Sequence, residues 1–74
     1  MDSILERLVF DPTLAEDARY WALGLLVYHI QFTSMDRCLQ LIDKYLEKFP
    51  NDENQETIGL LRHSMQEHQE LYLY

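Results

Sequence analysis

Apolar residues recur along this chain at helical spacing, in runs separated by short polar breaks. Ile4, Leu5, Leu8 and Val9 stand three and four residues apart and share one helix face. Ser3 and Glu6 have the spacing of a capping box, in which the hydroxyl and the carboxylate satisfy helix-start amides reciprocally. A first helix is expected over about residues 4–10, too short to persist without packing on a neighbour. Asp11-Pro12-Thr13 then stops the chain and restarts it, because the residue before proline disfavours helix and proline suits a first helical position. Asp11 can cap the next helix. So can Thr13, with Glu16 completing a second box.

The second helix, about residues 14–32, is the most apolar. Leu14, Ala18, Trp21, Leu25, Tyr28 and Phe32 form one stripe, and Leu23, Leu26, Val27 and Ile30 cover most of the remainder. A helix apolar nearly all round is expected to be buried on several sides and central to the fold. Gly24 costs up to ~1 kcal/mol against alanine inside a helix, and its expected use is the close approach of a neighbouring helix. Thr33-Ser34 supplies the next cap. The third helix, about 35–49, is strongly one-sided. Met35, Cys38, Ile42, Tyr45 and Phe49 mark its inner face, and Arg37, Gln40, Asp43, Lys44, Glu47 and Lys48 mark its outer one. So short a connection implies an antiparallel hairpin. After Pro50, Asn51-Asp52 is expected to cap a last helix over about 53–71. Its seam is narrow: Ile58, Leu61, Met65 and Tyr72. The chain ends Leu71-Tyr72-Leu73-Tyr74, an unusual density of large side chains for a terminus.

The pattern therefore predicts an all-α fold, a small bundle of three to four antiparallel helices in a single domain over 1–74. Composition adds that 74 residues form a small core, worth only ~3–5 kcal/mol. A lone cysteine excludes an internal disulfide, and no spacing of cysteines or histidines offers a metal staple. Self-association or a partner protein remains as the way to complete the core. With 13 acidic against 6 basic residues, a net charge of -7 argues against nucleic-acid binding through phosphates. It suits solubility or a basic partner. The longest nearly apolar run, Tyr20 to Ile30, is far shorter than the ~20 residues of a membrane span. The absence of a leader-like start and the single cysteine point to the cytoplasm.

No catalytic constellation emerges, so the chain is read as non-enzymatic and without cofactors. His63 and His68 are five apart and lie on different sides of a helix, and His29 reads as a histidine at the edge of the core. Cys38 sits on the inner stripe of its helix, where a nucleophile would be shielded. Trp21, Tyr28, Phe32, Tyr45 and Phe49 read first as core, or else some of them line an exposed groove for a partner helix. Leu71, Tyr72, Leu73 and Tyr74 are contact candidates, on the chain's own helices or on a neighbour.

Trp21, Gly24-Leu25, Tyr28, Cys38, Ile42 and Pro50 together resemble a tetratricopeptide repeat, whose pattern runs Trp, Leu-Gly and Tyr on one helix, then a small residue, an aromatic and a closing proline on the next. The departures are Gly-Leu in place of Leu-Gly, Cys38 and Tyr45 at small positions, and a span about one residue longer than the repeat. The resemblance covers about half the chain. It implies a helix pair that cannot bury both faces alone, and a likeness to the small chaperones and co-chaperones of type III secretion, which cradle an apolar amphipathic helix. On that likeness the groove positions are Trp21, Leu25, Tyr28 and Phe32. Two other readings stay open. One is an acidic inhibitor or antitoxin-type protein, possibly of phage origin, that blocks a basic site. The other is a homodimeric regulatory protein sealed through the last helix and tail.

Overall fold

Each polar break in the sequence becomes a turn between helices. In the computed structural model, which describes residues 2–72 and the side chains of residues 3–68, the helices are α1 (Asp2–Val9), α2 (Glu16–Ile30), α3 (Met35–Lys48) and α4 (Gln55–Tyr72). Among the described residues there is no strand. The fold is a small all-α bundle, as the periodicity predicts.

The turns do not all form as the sequence suggests. Ser3 lies inside α1, which begins at Asp2, so it does not open the helix. Asp11 and Thr13 bond to each other instead of capping α2. The Asp11 Oδ1 accepts from the Thr13 amide at 2.9 Å and from its hydroxyl at 2.6 Å. Each side chain is thereby satisfied within the turn, and α2 starts at Glu16 behind Ala15, with no side-chain cap. Ser34 does cap α3, its Oγ accepting from the Arg37 amide at 3.2 Å. Asp52 is drawn into the core, as described below, and α4 starts three residues after it.

Pairwise contacts fix the direction of each helix. Val27 meets Cys38 near the α2–α3 turn and Arg19 meets Tyr45 far from it, so α2 and α3 are antiparallel. Gln55 reaches the Leu46 carbonyl and Arg62 reaches Asp43, so α3 and α4 are antiparallel too. Glu6 pairs with Arg37 and the Phe10 carbonyl with Lys48, which lays α1 parallel to α3. The α1–α2 and α3–α4 pairs are the most closely packed. The Cα atoms occupy 42 × 27 × 15 Å, a slab little more than one helix layer deep.

Its centre is filled by Leu23, Leu26 and Ile30 of α2, Ile42 and Tyr45 of α3, and Ile58 of α4, all essentially inaccessible. Each aliphatic side chain so buried contributes about 1.5–3 kcal/mol before entropy is counted. Cys38 is likewise enclosed, and its Sγ donates to the Val27 carbonyl at 3.6 Å. Burial pushes its thiol up, with Arg37 opposing, so it remains a small protonated core residue.

Helix α2 is buried on one side only, not on the several sides expected. Its inner side is Ala22, Leu23, Leu26, Val27 and Ile30, whereas Trp21, Tyr28 and Phe32 point to solvent. Only Tyr45 and Phe49 of the five expected core aromatics face inward, Phe49 half-buried. Gly24 does not mark a close helix crossing, since a Cβ there would meet nothing within 4 Å. His29 is exposed, set against the Tyr28 ring at 6.0 Å between centroids. The physical reason is that a helix apolar on every side has no intrinsic inner face. Something else must choose, and here it is a charged residue.

Candidate functional site

That residue is Arg19, on the inner side of α2 and only 6% exposed. Burying a guanidinium is tolerable only when its donors are met. Its Nη1 donates to the Leu14 carbonyl at 2.7 Å, its Nη2 to Asp52 Oδ2 at 3.1 Å, and its Nε to the Tyr45 hydroxyl at 3.4 Å. The Phe49 ring covers its flat face at 4.0 Å. Tyr45 donates to the same Asp52 oxygen at 2.7 Å, and the other Asp52 oxygen accepts from the Asn54 amide at 2.8 Å. One buried cluster thus joins the α1–α2 turn, α2, α3 and the α3–α4 turn.

Burial pushes the Asp52 carboxyl up, but the bonds from Tyr45, Asn54 and Arg19 outweigh it and hold the group below the usual aspartate range. Burial first, and the neighbouring carboxylate second, push the Tyr45 phenol up to about 12. Arginine beside aspartate and tyrosine has the appearance of a catalytic group. Here all three side chains are buried and bonded to one another, so the cluster ties together the turns and helices that it spans. The sequence reading passed over Arg19; the available signal was a lone cation in an otherwise apolar helix, which has to find an anion.

The open chemistry lies on the other side of α2. Trp21 is 72% exposed, Leu25 48%, Tyr28 62% and Phe32 79%. Trp21, Leu25 and Tyr28 stand four and three residues apart along the outer face of α2, and Phe32, in the turn just past its end, extends the row. Ala18 and Gly24 lie beside it, also exposed. Tyr28 and Phe32 meet edge to face at 6.1 Å between centroids. A groove of about 340 Å³ runs along the row, lined by Tyr20, Trp21, Gly24, Leu25 and Tyr28. Isolated exposed apolar side chains are ordinary, but this contiguous row of large ones is the candidate contact surface.

The remaining candidates offer less. Leu73, Tyr74 and the side chains of Leu71 and Tyr72 lie outside the described residues. Leu60 is 66% exposed on α4, without a neighbouring aromatic row. His63 pairs with Glu67 at 3.0 Å on the surface. Among the described residues no group of three or more histidine, cysteine or acidic side chains is placed to hold a metal ion. None of their helices is long and apolar enough to cross a membrane. Glu53 is crowded by Glu16 first and Asp17 second, and their repulsion pushes its carboxyl up. These acids stand near the N-terminal end of the aromatic row.

No protein-family model matches the chain, and no curated protein or solved structure is similar to it.

Proposed function

We propose that this protein is a non-enzymatic protein-interaction module whose outer α2 face receives an apolar helix of another protein. In this reading it acts as a small cytoplasmic chaperone or adaptor, comparable in kind to the co-chaperones of type III secretion. The observation that carries it is the open row of Trp21, Leu25 and Tyr28 on a helix whose opposite side already fills the core, extended by Phe32 in the turn that follows. Helix-in-groove recognition uses anchors at this three-and-four spacing. Tryptophan and tyrosine suit such a surface because they bring a large apolar area with a polar tip.

The test compares the native chain with a Tyr28→Glu, Phe32→Glu double variant. Both side chains are exposed, so helical circular dichroism should be unchanged. The native chain should bind a hydrophobic dye and cross-link to a partner through a photoreactive group at position 25, and the variant carrying the same group at position 25 should do neither. A native chain that is dye-silent and forms no cross-link, to itself or to another protein, would remove the proposal.

A second reading has one observation in its favour. The crowding of Glu16, Asp17 and Glu53 on a chain of net charge -7 suits an acidic inhibitor that covers a basic site. Such binding weakens steeply with salt, because exposed charges are screened beyond ~8–10 Å at moderate ionic strength.

A further inference from the structure

We infer that the α2 face is occupied by the α2 face of a second copy of this chain, the two helices running antiparallel about a two-fold axis between Leu25 and Tyr28. This inference rests on the reading of α2 as a docking face: the second copy covers that face in the partner's absence and has to leave before a partner's helix can dock.

The first argument is symmetry. A two-fold interface uses the same patch on both subunits, so the patch must complement itself. The spacing of the row is four, three, four, and it reads the same in both directions. Laid antiparallel on its copy, Leu25 comes opposite Tyr28, and Trp21 comes opposite Phe32, which sits in the turn just past α2 and is held in line by its edge-to-face contact with Tyr28. Both ends of the interface then pair two aromatic rings, and its middle pairs aliphatic with aromatic.

The second argument is charge. No member of the row is ionisable near neutral pH, so pairing it with itself buries no unpaired charge, the usual penalty at a badly matched interface. Asp17 and His29 lie on the same helix at its margins. Gly24 carries no side chain and has nothing within 4 Å of its Cβ position. It leaves the groove of about 340 Å³ open beside Leu25, where a ring from the second copy can lie against the helix backbone.

The third argument is area. With aromatic side chains offering about 150–250 Å² each, the exposures of the four row members leave roughly 500–600 Å² open per copy. Two copies together would then cover roughly 1,000–1,200 Å², the lower bound of specific interfaces. Only full coverage of the row reaches that area, so the dimer is a weak one that dissociates on dilution. The net charge of -7 on each copy opposes it at low ionic strength, and added salt relieves that repulsion.

Light scattering after size exclusion, over a hundredfold dilution and at low and high salt, tests this directly. The native chain should approach twice 8.9 kDa at high concentration and fall toward the single mass on dilution, with tighter association at high salt. Trp21→Glu and Phe32→Glu, run separately, should each weaken association by more than about a hundredfold while keeping the native helical content, because the charge would enter an apolar interface. Leu60→Glu, at an equally exposed position on α4, should leave the dimer intact. A native chain that stays monomeric throughout overturns the inference. If that monomer still binds hydrophobic dye, and Tyr28→Glu abolishes the binding, the docking face stands with a different occupant. If it binds none, both readings fall. A dimer indifferent to both α2 variants also overturns the inference, since it would be built elsewhere.

Discussion

Arg19 decides more of this structure than any apolar side chain does, because its position is the least replaceable. Removing one member of a buried ion pair leaves the other charge without a partner and costs about 3–5 kcal/mol. A core this small supplies little more than that. Arg19→Met should therefore leave the chain largely unfolded at ambient temperature, as circular dichroism and a urea titration would show. Adding Asp52→Asn to Arg19→Met removes the stranded carboxylate and should recover most of the lost stability. The pH dependence follows from the same cluster. The Asp52 carboxyl is held below its ordinary value of 3.8, so its contribution is complete above that value and is lost as pH falls through the lower, folded-state one. At the alkaline end the folded-state Tyr45 phenol is raised from 10.0 to about 12. Its contribution is present below pH 10 and is lost between 10 and about 12, as the unfolded chain ionises first. Thermal melts across both windows should show two shoulders, the acid one absent from the Arg19→Met, Asp52→Asn double variant and the alkaline one absent from Tyr45→Phe.

At the scale of elements, the two central helices show what periodicity can and cannot tell. Helix α3 has polar residues on one side only, so its inner stripe of Cys38, Ile42 and Tyr45 was legible from spacing alone. Its cap was legible as well, and Ser34→Ala should cost about 0.5–2 kcal/mol in a urea titration. Helix α2 offered two apolar faces of similar weight. Trp21, Tyr28 and Phe32 are larger than Ala22, Val27 and Ile30, and size favoured the wrong face for the core. The choice depends on Arg19 meeting Tyr45 and Asp52, 26 and 33 residues away, a long-range pairing that no local pattern encodes. The aromatic row was nevertheless identified as a candidate groove from its repeat-like spacing. Gly24 was noticed for a close approach that does not occur. Because a side chain at that position meets nothing, Gly24→Ala should stabilise the helix by about 0.5–1 kcal/mol through propensity alone. That gain is read in a chain that also carries Trp21→Glu, so that self-association does not enter the measurement.

At the scale of the whole molecule, a slab 15 Å deep has too little interior to enclose both sides of its most apolar helix. One side of α2 fills the core, and the other is left exposed. The same geometry makes Trp21, the single tryptophan, a reporter of what happens there. At 72% exposure its ring is largely in water even in the folded chain. In the dissociated state its emission should resemble that of the urea-unfolded chain, and acrylamide should quench both to a similar extent. Any occupant of the row removes the ring from water, so emission should shift to the blue and quenching should fall as the face fills. Far-ultraviolet circular dichroism should stay constant through that change, because α2 is already a helix before anything docks on it. A quencher-resistant, blue-shifted Trp21 at the lowest measurable concentration would contradict the open face. An emission shift accompanied by a gain in helicity would mean that the face is assembled by its occupant and is not present beforehand.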